Sequence, residues 1–74
     1  MPYYSYAMPS TVIQSFSYEV ARRRLRVVFQ SGLVYEYLKV PREIYDEMRS
    51  AYSKGTYLNQ KIKGFYEFEK VEDG

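Results

Sequence analysis

The sequence contains no cysteine, no histidine and no tryptophan. Without cysteine there is no disulfide framework, no thiolate zinc site and no thiol nucleophile. Without histidine the chain lacks the commonest metal ligand and the commonest general base near neutral pH. A serine or tyrosine nucleophile would need a lysine base in a buried pocket, for which 74 residues leave little room. We therefore expect a protein that is not an enzyme and that has no catalytic residues, no metal and no cofactor.

Long apolar stretches are also missing. No run approaches the roughly 20 residues that a membrane helix needs, and the longest in the middle of the chain is Val27-Val28-Phe29. Residues 1–11 have neither the basic region nor the apolar region of a signal peptide. We therefore expect no membrane partner and a cytoplasmic location.

The chain is short, rich in aromatic residues and divided in charge. Its 74 residues suffice for one small domain, and they include ten tyrosines and four phenylalanines. Residues 67–74 hold four acidic residues and one lysine, whereas the remainder holds ten basic and five acidic residues. A moderately basic body permits a polyanionic partner. We expect a flexible arm over residues 1–9, a single domain over 10–68 and an acidic flexible tail over 69–74.

Alternation of apolar and polar residues predicts three strands. Residues 12–18 have the β-branched and aromatic content of a strand. The next two strands share a period of two and are separated by Gln30-Ser31-Gly32. Their alternating apolar residues are Leu25, Val27 and Phe29 in one strand and Leu33, Tyr35 and Tyr37 in the other. The two strands are expected to form a hairpin.

Two loops could connect this hairpin. A two-residue loop would force Ser31 to a positive φ, whereas a three-residue loop needs a positive φ only at Gly32. The three-residue loop also places the apolar residues of both strands on one face and Arg26 opposite Glu36 on the other. Its expected pairs are Phe29 with Leu33, Val27 with Tyr35 and Leu25 with Tyr37. We predict the three-residue loop.

Two helices are predicted after the hairpin. Pro41 suits the first position of a helix, and one apolar stripe then comprises Ile44, Met48, Ala51 and Tyr52. Ser53 is expected to cap the second helix, with Leu58 and Ile62 on its buried side and Gly64 at its end. The order of elements indicates an α+β fold, a three-stranded antiparallel meander followed by two helices packed on one face.

The path from Ser10 to Tyr66 resembles the KTSC domain, a module of about 60 residues named for the C-terminus of certain lysyl-tRNA synthetases. The matching pattern runs Ser10, Ile13, Tyr18, Leu25-x-Val27-x-Phe29, Gly32, Tyr35-x-Tyr37, Val40-Pro41, Tyr45, Ala51, Ser53-Lys54-Gly55, Asn59, Ile62 and Tyr66. Members of the family often carry Asp-Pro after the tyrosine that corresponds to Tyr18, where this chain has Glu19-Val20. The resemblance implies a bacterial or phage protein and, through the attachment to a synthetase, RNA binding.

Three groups of residues are candidates for a binding site. The run Arg22, Arg23 and Arg24 could clamp phosphates or could be a solvated turn that protects an edge strand. At the start of the second helix, Ser53 and Gly55 could bind an anion together with Lys54, or could form an ordinary cap. The exposed side of the same helix adds Lys61 and Lys63.

The central tyrosines Tyr35 and Tyr37 have two interpretations. They could stack unpaired bases, or they could belong to the core with their hydroxyls at its rim, and the predicted register favours the core.

From these features we expect a small non-enzymatic module that binds RNA, either tRNA or a single strand. The nucleic-acid-binding candidates are Arg22, Arg23, Arg24, Lys54, Lys61 and Lys63. If the two basic clusters form one surface, they should lie near one another. The alternative is a protein-interaction module whose aromatic surface, including Tyr3, Tyr4 and Tyr6, docks a protein partner. The sequence does not predict an oligomeric state.

Overall fold

The computed structural model describes residues 12–71, whose strands form one antiparallel sheet in the order β1-β2-β3-β4. The strands are β1 (Ile13–Glu19), β2 (Arg24–Phe29), β3 (Val34–Tyr37) and β4 (Phe68–Lys70). The helices are α1 (Arg42–Ser50) and α2 (Lys54–Tyr57), and α2 continues as a π-helical turn over Leu58–Ile62. This is the predicted α+β class, with a fourth strand added to the meander.

The hairpin between β2 and β3 has the predicted register. The observed pairs include Leu25 with Tyr37, Arg26 with Glu36 and Val27 with Tyr35. The loop is closed by hydrogen bonds from the Gly32 N–H to the Phe29 carbonyl and from the Phe29 N–H to the Leu33 carbonyl, both 2.9 Å. Gly32 has a φ of +97°. The three-residue loop is therefore confirmed.

One face of the sheet packs against the helices and forms the core. The buried apolar residues come from every layer of the fold, namely Ile13, Leu25, Val27, Tyr37, Val40, Met48, Leu58 and Ile62. Aromatic rings from β1 close one side of this core, where Tyr18 stacks on Tyr45 of α1 with ring centroids 5.1 Å apart. Leu33 is an exception to the predicted apolar face, since it lies in the loop and is exposed.

The first helix is shorter than its apolar stripe. Pro41 is the N-cap and precedes the first helical residue, and the helix ends at Ser50 because Ala51 is extended, with a ψ of 142°. Met48 is fully buried and Ile44 is half-buried, as the stripe requires. Tyr52 is fully exposed, so its assignment to the buried stripe was wrong. The predicted stripe required one continuous helix through Tyr52. The helix ends before that residue.

The second helix begins and ends as the sequence predicts. The Thr56 N–H donates to Ser53 Oγ at 3.2 Å, which confirms the cap. Leu58 and Ile62 are buried. The last turn widens, since the Lys63 N–H donates to the Leu58 carbonyl five residues earlier at 2.8 Å. Gly64 follows with a φ of +88°, the left-handed conformation that terminates helices.

The acidic tail predicted over residues 69–74 overlaps the last strand of the sheet. Glu69 and Lys70 belong to β4, which pairs with β3, and the Val71 N–H donates to the Val34 carbonyl at 2.8 Å. Backbone pairing with β3 therefore continues at least to residue 71. The predicted arm over 1–9 and the last residues of the tail, 72–74, lie outside the described residues. Among residues 12–71 no helix is long and apolar enough to span a membrane.

Candidate functional site

The three arginines of the basic run have different partners. Arg22 Nε donates to Glu19 Oε2 at 3.1 Å. Arg24 Nη1 donates to Glu36 Oε1 at 3.0 Å and to Glu69 Oε1 at 3.3 Å. The hydrogen bond to Glu36 raises the pKa of Arg24, and the negative charge of Glu69 raises it further. Of the three, Arg23 alone has no carboxylate partner among residues 12–71.

Arg24 belongs to a charge network on the open face of the sheet. Glu36 accepts hydrogen bonds from Arg24 and also from Arg26, whose Nη1 lies 3.3 Å from Glu36 Oε2. With Glu69 the network joins β2, β3 and β4. Ion pairs on a solvated face contribute little to the free energy of unfolding. Their effect here is to balance charge on the solvated face, so Arg24 and Arg26 are poorly placed to receive phosphates.

The candidate anion site at α2 is engaged within the chain. Ser53 Oγ accepts the Thr56 N–H and donates to the Thr56 hydroxyl at 3.0 Å. Lys54 Nζ donates to the Ala51 carbonyl at 2.7 Å. Gly55 is buried. The Ser53 hydroxyl is thus used to cap α2, and the Lys54 ammonium links α2 to the end of α1.

The lysines of the second cluster do not adjoin the arginines. Lys61 and Lys63 are exposed. Lys63 borders a groove of about 490 Å³ beside the β2–β3 loop, lined by Val12, Phe29, Gln30, Ser31, Leu33 and Tyr35. Arg22 and Arg23 lie in the β1–β2 turn, and the length of β2 separates the two loops by about 17 Å. Arg22 and Arg23 therefore do not lie near Lys63, and the condition for one continuous basic surface is not met.

The central tyrosines belong to the core, as the register predicted. Tyr37 is 1% exposed, and burial raises the pKa of its hydroxyl, with a further contribution from Tyr35. The ring of Tyr35 stacks on Phe68 at 4.7 Å and meets Phe29 in a T-shaped contact at 5.4 Å. Tyr37 has no exposed ring face to offer a nucleobase, and Phe68 covers one face of Tyr35, so the structure favours the core interpretation for both residues.

Sequence reasoning missed a basic site built from two loops. Arg23, in the β1–β2 turn, and Lys39, between β3 and α1, have φ values of 54° and 57°, and they are the non-glycine residues with positive φ among residues 12–71. The left-handed conformation costs roughly 1–2 kcal/mol for such residues. The Val40 N–H donates to the Arg23 carbonyl at 2.9 Å, which places the two loops side by side. Both side chains are exposed.

Only a weak signal in the sequence points to this site. Neither loop contains Gly, Asn or Asp, so a residue with a larger side chain has to adopt the left-handed conformation. Lys39 stands outside every basic run, and its proximity to Arg23 depends on the tertiary fold.

An exposed aromatic residue lies next to Lys39. Phe65 and Lys39 line a hollow of about 280 Å³ together with Leu38, Tyr66 and Glu67. Phe65 is 70% exposed, and its ring has no aromatic partner among the described residues. We refer to Arg23, Lys39 and Phe65 as the corner site.

A second polar contact joins the two helices on the outside of the core. The Tyr57 hydroxyl donates to Glu47 Oε1 at 2.6 Å. Burial of the phenol, together with this hydrogen bond, raises the pKa of Tyr57 to about 12. No group of three or more potential metal ligands occurs within residues 12–71.

The sheet with its central Tyr-x-Tyr and two covering helices defines a small α+β domain of a known family. Residues 9–66 match the model of the KTSC domain, and the chain belongs to this family. A solved KTSC domain protein from Yersinia pestis is similar, with a TM-score of 0.80 and 34% identity over 85% of this chain and 89% of that one. The resemblance inferred from the sequence is therefore confirmed.

Relatives of this chain differ greatly in length. A lysine–tRNA ligase from Nostoc punctiforme is 44% identical over 61 residues, which are 82% of this chain and 11% of the ligase. An uncharacterized protein from Stutzerimonas stutzeri is 35% identical over 57 residues, which are 77% of this chain and 80% of that protein. This chain thus spans about a tenth of the ligase and most of the small protein.

Proposed function

We propose that this chain is a non-enzymatic module that binds RNA. The observation that carries the proposal is the uneven pairing of its exposed charges. Five exposed cations have no carboxylate within 4.0 Å among residues 12–71, namely Arg23, Lys39, Arg49, Lys61 and Lys63. Only two of the described carboxylates, Glu43 and Glu67, lack a hydrogen bond or ion pair. The surplus favours a polyanionic partner.

The relatives support RNA as that polyanion. The name of the Nostoc punctiforme relative, a lysine–tRNA ligase, gives tRNA as a substrate of that protein. The shared segment is only 11% of the ligase, and a similar sequence makes up most of a much smaller protein. We propose that the segment raises the local concentration of RNA for whatever it is joined to and takes no part in catalysis.

The expected affinity is modest. Each phosphate contact on single-stranded RNA contributes a slope of about −0.7 to the dependence of log K on log salt. With two to four contacts the slope lies between about −1.4 and −2.8. Binding of this kind has dissociation constants on the order of 10⁻⁴–10⁻⁶ M at physiological salt.

A salt titration tests the proposal. Labelled tRNA and a labelled single-stranded RNA are titrated with the protein at several KCl concentrations. We expect binding that weakens with salt at the slope given above. Absence of binding at low salt, or binding that is independent of salt, would reject the RNA function.

A protein-binding function is the second candidate, because one groove of the protein is lined by acidic side chains and not by basic ones. It has a volume of about 600 Å³, is lined by Leu38 and by residues 64–69, and exposes Phe65 and Phe68 beside Glu67 and Glu69. Such a groove suits a segment with apolar and basic side chains. Capture of a protein from nuclease-treated lysate, with no RNA binding in the titration, would favour this function.

A further inference from the structure

The corner site is held in place by the backbone around Val40. The Val40 N–H donates to the Arg23 carbonyl at 2.9 Å, and the Val40 carbonyl accepts from the Tyr18 hydroxyl at 2.6 Å. The Val40 side chain is fully buried. Both loops are therefore fixed to the core at the point where they meet. The exposed side chains of Arg23 and Lys39 start from adjacent, ordered backbone positions.

The charge of the corner site is not neutralised within the described chain. The flanking arginines, Arg22 and Arg24, form ion pairs with glutamates, whereas Arg23 and Lys39 do not. Glu67 lines the same hollow as Lys39, but no ion pair within 4.0 Å joins them. Two cations with no partner thus share one corner, and an external anion would meet both.

Folding alone does not account for an arginine and a lysine at these positions. Both adopt the left-handed conformation, which glycine and asparagine tolerate better. Both side chains are exposed, so neither contributes packing to the core. Residues that strain the backbone without stabilising the fold are characteristic of functional sites. The property that distinguishes them here is positive charge.

The aromatic residue at the corner specifies the kind of anion. Phe65 is exposed and adjoins Lys39 in the hollow. Every nucleobase can stack on an aromatic ring, but only an unpaired base is available to do so. The groove beside the β2–β3 loop lacks this combination, because the rings that line it with Lys63, those of Phe29 and Tyr35, pack on one another.

We propose that Arg23 and Lys39 bind a backbone phosphate of single-stranded RNA while Phe65 stacks on a neighbouring base. The inference rests on the proposed RNA-binding function and assigns it to one place. Lys61 and Lys63, which do not line the hollow shared by Lys39 and Phe65, then make no specific contact with the bound nucleotide.

The test compares two charge-matched double variants. Arg23→Asn with Lys39→Asn removes two positive charges and leaves a side chain that tolerates positive φ. Lys61→Gln with Lys63→Gln removes the same charge from residues that do not line the corner hollow. Binding of a labelled single-stranded RNA of ten uridines is measured by anisotropy at several KCl concentrations. The urea midpoint of each variant is measured in parallel.

For the corner variant we expect the salt slope to fall in magnitude by about 0.7, the contribution of one phosphate, which corresponds to about 5-fold weaker binding at 0.1 M salt than for the unchanged protein. Its urea midpoint should equal or exceed that of the unchanged protein, because strain at two positions is relieved. The Lys61/Lys63 variant should keep the original slope. Equal loss in both variants would overturn the assignment, since it would show dependence on net charge alone.

A single substitution tests the stacking contact. Phe65→Ala should weaken binding to the single strand by about 5- to 100-fold. Its affinity for duplex DNA should be unchanged, and so should its urea midpoint. An unchanged affinity for the single strand would overturn the role of Phe65.

Two further outcomes separate this inference from the function on which it rests. Absence of RNA binding by the unchanged protein would reject the function and the site together. Normal RNA binding by the corner variant would reject the site and leave the function standing. If that variant instead lost a protein partner captured from nuclease-treated lysate, the corner would be a protein-docking surface and the inference would be wrong.

Discussion

Gly32 is the residue whose conformation the sequence specifies most directly. Its φ of +97° is required by the three-residue loop, and a Cβ added there would meet no atom within 4 Å. The cost of a substitution is therefore conformational and not steric. Gly32→Val should lower the free energy of unfolding by more than 1 kcal/mol, since β-branched residues resist positive φ. Urea denaturation measures the change. Gly32→Asn, the control, should cost less, and equal stability of both variants would contradict the prediction.

Tyr18 provides a second test at the scale of one residue. Its hydroxyl donates to the carbonyl of the fully buried Val40 at 2.6 Å, and its ring stacks on Tyr45. Tyr18→Phe keeps the ring and leaves a buried acceptor without a donor, which costs about 1–3 kcal/mol. The change is measured by urea denaturation. Tyr45→Phe is the matched control, because no hydrogen bond from the Tyr45 hydroxyl occurs within residues 12–71. Equal effects of the two substitutions would contradict the role of the hydrogen bond.

Single residues also show where sequence reasoning stops. Arg22, Arg23 and Arg24 are chemically identical in the sequence, and only the fold separates the one without an acidic partner from the two with one. The ion pair of Arg26 with Glu36 was predictable, because both lie in one hairpin. The pair of Arg24 with Glu69 was not, because 45 residues separate them in the chain.

At the scale of elements, β4 is the strand that the sequence does not reveal. It has three residues, of which two are charged, and its pairing partner lies about 30 residues earlier. An acidic segment of this kind is typical of a solvated tail. The β2–β3 hairpin was predictable for the opposite reason, since its alternation and its glycine loop are both local.

The contribution of β4 can be measured through Phe68. The ring is half exposed, yet it stacks on Tyr35 at 4.7 Å and contacts Tyr37 at 5.6 Å. Phe68→Ala should cost about 2 kcal/mol through the lost ring contacts and partial burial. Phe65→Ala is the control, because its ring is 70% exposed and has no aromatic partner among the described residues, and it should change stability by less than about 0.5 kcal/mol. Urea denaturation compares the two. Equal stability would mean that β4 does not support the core.

The helical elements were predicted in kind but not in detail. The caps at Ser53 and Gly64 are local signals and were correct. The end of α1 at Ser50 has no such signal, because neither glycine nor proline marks the break before Ser53. The π-helical turn at Leu58–Ile62 was also invisible, since a spacing of four residues suits either kind of helix.

For the whole molecule, the arrangement of the sheet determines which charges can cooperate. Successive hairpin loops of a meander alternate between its two ends, so the loop of Arg23 and the β2–β3 loop beside Lys63 lie at opposite ends of the strands. The loop between β3 and α1 returns to the end that holds Arg23, and this brings Lys39 beside it. The sequence supplied the basic residues of the candidate site. Their grouping depends on contacts between loops that no local pattern encodes.

The stability of the whole molecule should fall at alkaline pH, through its tyrosines. The pKa of Tyr57 is raised to about 12 from its ordinary value near 10, and burial also raises the pKa of Tyr37. Between pH 10 and pH 12 the unfolded chain therefore binds fewer protons than the folded one, so the free energy of unfolding decreases as pH rises. The stabilisation is fully present below pH 10.

Tyr57→Phe isolates the contribution of one phenol. The variant loses the hydrogen bond to Glu47 but has no group to ionise at this position. At pH 8 it should be less stable than the unchanged protein by about 1 kcal/mol. This difference in stability between the two proteins should disappear between pH 10 and pH 12, since ionisation of Tyr57 places two negative charges side by side in the unchanged protein. Urea denaturation of both proteins from pH 8 to pH 12 measures the difference in their free energies of unfolding. Stability curves that remain parallel across this range would contradict the raised pKa of Tyr57, because an unperturbed phenol gives the folded and unfolded chains the same proton uptake.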